Sequence, residues 1–212
     1  MKLWRTFLWM LALLPLTACG LSGGPIDGQV LEVGTRKPIA GAIVTVTWQG
    51  SFFQIAESRT TCYHVESATT DQQGHYKIAK WHEFTKGPFF SQGPFWIEVY
   101  KPGYEHYLPP GNFDRTEDYK NNIRFLAEFK GAREERLKYL SRLSEATRCS
   151  SAGDSVKNVL AFRKALHLEA NNMASSKEDM DIVEGLLFQE EIVEFGYEIA
   201  ERNQVQRYRG KK

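Results

Sequence analysis

His64 with Glu66, His82 with Glu83 and His167 with Glu169 each set an imidazole beside a carboxylate, the material of general acid–base catalysis or of a zinc site. Their spacing serves neither. A zinc carboxypeptidase centre needs a His-x-x-Glu pair and a distant His, other zinc peptidases a His-Glu-x-x-His run, and the chain contains no such spacing. His75 and His106 stand in strand or turn contexts, where a surface or hydrogen-bonded imidazole is the ordinary outcome. There is no Gly-x-Ser-x-Gly elbow, phosphate loop or dinucleotide fingerprint. No catalytic residue, metal or cofactor is expected, and the chain reads as a non-enzyme.

The cysteines say more. Cys19 closes the run Leu16-Thr17-Ala18-Cys19, which resembles a bacterial lipobox. Lys2 and Arg5 supply a positive n-region, and Phe7 to Leu16 an apolar core ending in small residues. That core is shorter than the roughly 20 apolar residues a spanning helix needs, so residues 1–18 read as a cleaved lipoprotein signal peptide. The resemblance implies that the Cys19 thiol carries a diacylglycerol and its amine a further acyl chain, together a firm membrane anchor. Gly20, rather than an aspartate after the cysteine, favours the outer membrane, with the protein facing the periplasm.

Loss of Lys2 and Arg5 takes the 27 basic residues to 25 against 26 acidic ones, so no field points to nucleic acid. Cys62 and Cys149 remain. In an oxidising compartment two thiols are expected to pair, tying the first half of the chain to the second; two separate buried thiols are the other reading, since spacing does not establish geometry.

Positioning falls first to a β-patterned region. After a Gly-rich tether at residues 19–25, strands are expected over Ile26 to Val33, Ala42 to Trp48, Arg59 to Thr70, Tyr76 to Ala79, Phe95 to Tyr100 and Ile123 to Lys130. Gly34-Thr35-Arg36-Lys37-Pro38, Asp71-Gln72-Gln73-Gly74 and Pro102-Gly103 punctuate them as turns. Short strands between turn clusters argue for a β-sandwich.

Gly28-Gln29-Val30, Thr35-Arg36-Lys37-Pro38-Ile39-Ala40-Gly41-Ala42, Thr70-Asp71 with Gly74-His75-Tyr76, and Val99-Tyr100-Lys101-Pro102-Gly103-Tyr104 together resemble the carboxypeptidase regulatory-like domain over residues 25–130. The resemblance implies a seven-stranded, transthyretin-like (Ig-like) sandwich and no activity of its own, since such domains are accessory modules. These residues are expected to be mainly structural.

Between two strands lies Trp81 to Pro94, longer than a tight hairpin and heavily aromatic. Trp81, Phe84, Phe89 and Phe90 could form a platform that stacks on sugar rings or receives a partner's apolar side chain. They could equally cap the open end of the sandwich or pack beneath the second half of the chain. Tyr104, Tyr107 and Phe113 share that ambiguity.

From Gly131 the period lengthens to about 3.6 residues. Leu137, Leu140 and Leu143 mark a first helix; Val156, Val159, Leu160 and Leu166 a second, broken by Asn171-Asn172; and Ile182, Val183, Leu186, Leu187, Val193 and Tyr197 a third, with Ser176 and Asp179 as its capping box. These stripes need a partner surface, so residues 131–205 are expected to dock on the sandwich, followed by a basic tail at 206–212. The expected fold is thus α+β. The expected function is a lipid-anchored, non-catalytic binding or scaffolding module of the cell envelope, held to the membrane through Cys19 and serving an envelope protein partner. A glycan-binding module built around Trp81 is the alternative.

Overall fold

The computed structural model describes residues 20–53, 58–84, 87, 89–107, 122–149 and 153–186. Cys19 and the apolar segment before it, Phe113, the outer part of the third helical stripe and the basic tail lie outside the described residues.

The chain is α+β. Among the described residues nine strands run in the order β1 (Gly20–Gly23), β2 (Ile26–Glu32), β3 (Ile43–Phe53), β4 (Ser58–Thr69), β5 (His75–Ile78), β6 (Trp81–Phe84), β7 (Phe90–Tyr100), β8 (Tyr104–His106) and β9 (Asn122–Glu128). Helices α1 (Arg133–Ala146), α2 (Leu160–Met173) and α3 (Lys177–Gly185) follow, with a 3-10 helix, Gly153–Val159, leading into α2. The strands form a four-stranded sheet β5-β2-β9-β8, a three-stranded sheet β4-β3-β7 and a two-stranded ribbon β1-β6. All neighbours are antiparallel except β2 and β9, which run parallel.

β3 is the middle of the molecule, with an unbroken buried run from Val44 to Trp48. Side chains alternate along a strand, so burial on both faces means cover on both. Val44, Val46 and Trp48 share one core with Ile26, Val30, Ile78 and Leu126 of the four-stranded sheet and Leu21 and Trp81 of the ribbon. On the opposite face Ile43, with Val65 of β4 and Tyr100 of β7, packs against Leu137, Leu140, Phe162, Leu166 and Val183 of the helices. The three-stranded sheet is therefore a middle layer between the other sheet and the helices.

The edge of that middle sheet is capped rather than left open. On β4 the Val65 N–H donates to Ser155 Oγ at 3.2 Å, and Asn158 Nδ2 donates to the Val65 carbonyl at 3.2 Å, so side chains from the 3-10 helix satisfy backbone groups that would otherwise invite pairing. The disulfide between Cys62 on β4 and Cys149, Cα atoms 4.8 Å apart, fastens the same edge to the segment after α1.

The turn motifs act on one another. Lys101 Nζ donates to the Ala40 carbonyl at 2.8 Å. The Ala42 N–H donates to Thr70 Oγ1 at 2.8 Å, and that hydroxyl donates to the Ile39 carbonyl at 2.7 Å. Gly74 has φ +73°, and a Cβ there would lie 2.5 Å from the Val30 carbonyl oxygen, so both conformation and space demand glycine. These residues brace one end of the β-layers.

Three local expectations are corrected. Residues 20–23 are not a loose tether but strand β1, with Leu21 buried. Trp81 to Pro94 is not one long connection: Trp81–Phe84 is β6, and β7 begins at Phe90, with Gly93-Pro94 at the register shift opposite Gln49. A bulge is where a strand tolerates proline. Asn171-Asn172 does not break α2, which continues to Met173 because Phe162, Leu166 and Ala170 keep its stripe buried.

Candidate functional site

The end of the β-layers opposite the braced turns carries the three most exposed aromatics among the described residues. Phe84 is 83% exposed, Phe53 71% and Phe89 68%. They are close in the topology: Phe84 and Phe89 flank the short connection from β6 to β7, and the Phe53 N–H donates to the Phe89 carbonyl at 2.9 Å. In the ribbon Gly20 stands opposite Phe84. Gln92 Nε2 donates to the Ser22 carbonyl at 2.8 Å, which holds β1 against β7.

Beneath this rim lies an aromatic stack. Trp81 meets Trp48 edge-on with centroids 5.2 Å apart and Tyr63 at 5.9 Å, while His64 stacks on it at 3.8 Å. Phe90 packs edge-on against Phe52 and Tyr63, at 4.9 and 5.0 Å. His64 is itself held on both ring nitrogens, Nδ1 2.5 Å from Glu83 Oε1 and Nε2 3.0 Å from Glu66 Oε1.

The expected four-residue platform is therefore divided. Trp81 is buried and Phe90 half-buried, both in the core, whereas Phe84 and Phe89 face outward. The indole of Trp81 is stacked inside the fold, and of the four only Phe84 and Phe89 are presented to solvent. Phe53 was absent from the expected set; its signal in the sequence is the apolar pair Phe52-Phe53 beyond the alternating part of β3, where a strand has outrun its core.

An open cleft lined by Asp27, Gln29, Asp71, His75, Lys77 and Ile123 mixes charge signs, and Asp71 Oδ1 already accepts the N–H groups of Gln73 and His75, at 2.9 and 2.8 Å. Under α1, burial raises Glu98 to about 7 against the opposing pull of Arg124, and burial with the Arg124 charge lowers His106 to about 4. Burial also holds His167 below the usual histidine value. Among the described residues no group of three or more His, Cys, Asp or Glu is placed to hold a metal, and no helix is long and apolar enough to cross a membrane.

No protein-family model matches the chain, and no curated protein matches it. Among solved structures, a 9R-lipoxygenase from Cyanothece is similar over 70% of this chain and 24% of its own, with 16% identity and a TM-score of 0.26. This chain thus spans about a quarter of that protein's length, and a likeness so slight carries no argument about fold or function.

Proposed function

We propose that this chain is an exported, lipid-anchored, non-catalytic binding or scaffolding module of the bacterial cell envelope, acylated on Cys19 and facing the periplasm from the outer membrane. The observation that carries the reading is the division of labour among three cysteines. Cys62 and Cys149 are joined in a disulfide, a bond characteristic of oxidising compartments, and the third cysteine ends a signal-like apolar segment directly after Thr17-Ala18. The seven strands of the two larger sheets, sharing one core and braced by the Lys101 contact to Ala40, support the resemblance to the transthyretin-like regulatory domain. Such a domain serves as an accessory module, and its partner here is an envelope protein.

Intact-mass analysis of the chain from the membrane fraction tests the anchor. The expected product begins at Cys19 and carries the added mass of diacylglycerol and a third acyl chain, and Cys19→Ser leaves it unacylated. A chain that keeps residues 1–18, or a free Cys19 thiol on a mature chain, overturns the reading. In-cell crosslinking of the acylated protein then addresses the partner: one envelope protein recovered reproducibly, and lost on substitution of a surface residue in a variant that stays folded, supports an adaptor. No reproducible partner overturns it.

A further inference from the structure

Phe53, Phe84 and Phe89 gather large exposed apolar surface at one end of the β-layers, and single exposed phenylalanines are common where three on one rim are not. The chain supplies its own reason for the grouping. Gly20 is already paired in β1 opposite Phe84, so Cys19 sits one peptide bond, about 3.8 Å from Cα to Cα, from an ordered strand beside that rim. Gln92 and the buried Leu21 hold the strand in place. An acyl chain attached there has no slack by which the folded part could stand away from a bilayer.

We infer that the Phe53–Phe84–Phe89 rim is a second membrane contact, seated in the headgroup and upper acyl region of the same leaflet that takes the lipid on Cys19. This rests on the acylation proposed above. Rings at that depth, about 5–10 Å into the interface, bury the apolar surface that water would otherwise cover. Lipid and rim together fix the orientation: β3 spans 11 residues, roughly 33 Å at about 3.3 Å per residue, so the turn containing Lys37 points away from the membrane and toward any partner. The lipid holds the protein to the surface, and the rim sets which face the partner meets.

The experiment uses the full acylated chain in vesicles of dibrominated phosphatidylcholine mixed with phosphatidylglycerol, with Phe53→Trp, Phe84→Trp, Phe89→Trp and Lys37→Trp made singly. Bromine quenches tryptophan by contact, and each variant is read against the parent, whose own indoles set the baseline. The expected result is strong loss of the added emission at 53, 84 and 89 and none at 37. Intact mass of the same samples separates the two ideas. An acylated chain unquenched at the three rim positions overturns the seating and leaves the anchor standing; an unacylated chain overturns both. Equal quenching at 37 and at the rim removes the fixed orientation and overturns the inference. Crosslinking that joins the rims of two copies, or the rim to residues 7–16 of an uncleaved chain, overturns it as well.

Discussion

The imidazole of His64 lies flat on the indole of Trp81, centroids 3.8 Å apart and planes 17° from parallel, while its two nitrogens each meet a carboxylate, of Glu83 and of Glu66. One side chain thereby joins β4 to β6 and fixes the ribbon that begins at the residue after Cys19. His64→Ala removes the stack and leaves two partly buried acids facing the gap. The expected cost is about 1–3 kcal/mol, read as a lower urea midpoint with unchanged slope. A midpoint equal to that of the parent would show that the ribbon holds its position without the imidazole.

Gly23 is where β1 passes between two indoles. A Cβ there would lie 2.5 Å from Trp48 Nε1 and 2.6 Å from Trp81 Nε1, and both rings are buried with no room to withdraw. Gly23→Ala should destabilise by about 1–3 kcal/mol through overpacking and should shift near-ultraviolet circular dichroism, because the indoles must move. At Gly185, in α3, a Cβ meets nothing within 4 Å, so Gly185→Ala should stabilise by about 0.5–1 kcal/mol. Thermal melts of the two variants should move in opposite directions.

These glycines also mark where the sequence was hard to read. Alternation exposed β3, β5, β9 and the later half of β7, because valines, isoleucines and aromatics repeat every second residue there, whereas β2 was marked by the turn that follows it. Gly20-Leu21-Ser22-Gly23 carries only one apolar side chain, its inward partner being the glycine that the indoles require, so period two had nothing to register. β6 is four residues long and alternates correctly, Trp81 in and Phe84 out, yet its neighbours Gly87, Pro88, Gly93 and Pro94 read as loop. The helical stripes and the Ser176 capping box, in which Ser176 Oγ accepts the Asp179 N–H at 3.1 Å, were legible. That the stripes dock on the β-layers was legible as well; which sheet face receives them was not, because the outer face of β3 is lined partly by Thr45 and Thr47, whose burial depends on the helices above them.

The disulfide closes a separation of 87 residues. On the chain-entropy account such a loop contributes about 4–5 kcal/mol to stability. Adding a reductant, or replacing both Cys62 and Cys149 by serine, should lower the unfolding midpoint accordingly. A melt insensitive to reductant would mean that the 3-10 helix contacts at Val65 hold the β4 edge unaided.

Two half-buried groups near Arg124 have opposed pH dependences. Glu98 is raised from 4.5 to about 7, so the folded chain holds its proton more tightly than the unfolded one, and stability falls as pH rises from about 4.5 to 7. His106 is lowered from 6.5 to about 4, so the unfolded chain binds the proton first, and stability is lost as pH falls from about 6.5 to 4. The windows overlap and the slopes oppose, so their contributions to the parent's pH dependence largely offset there. Glu98→Gln leaves the histidine's slope and makes the protein acid-sensitive; His106→Gln leaves the carboxyl's and makes it less stable toward neutral pH. Urea titrations across pH 4 to 7.5 should show the two variants diverging with opposite signs, and parallel profiles would refute the assignment.

Arg136 is the keystone between helices and sheets. Its side chain is 2% exposed, and it grips Glu169 with two bonds, Nε to Oε1 at 2.8 Å and Nη2 to Oε2 at 3.0 Å. It also donates to the Tyr104 carbonyl, while the Tyr100 hydroxyl donates to Glu169 Oε2 at 2.6 Å. One arginine on α1 thus gathers α2, β7 and β8. Taking one partner from a buried ion pair strands the other charge, at a cost of about 3–5 kcal/mol, so Arg136→Met should be among the most destabilising single changes and Glu169→Leu comparable. The double variant leaves no stranded charge and should recover much of the loss, since apolar replacement of a whole buried pair is often neutral. Urea unfolding of all four chains closes the cycle. Additive losses would mean that Arg136 acts through its backbone acceptors and the Phe129 and Tyr139 rings beneath its guanidinium, and not through Glu169.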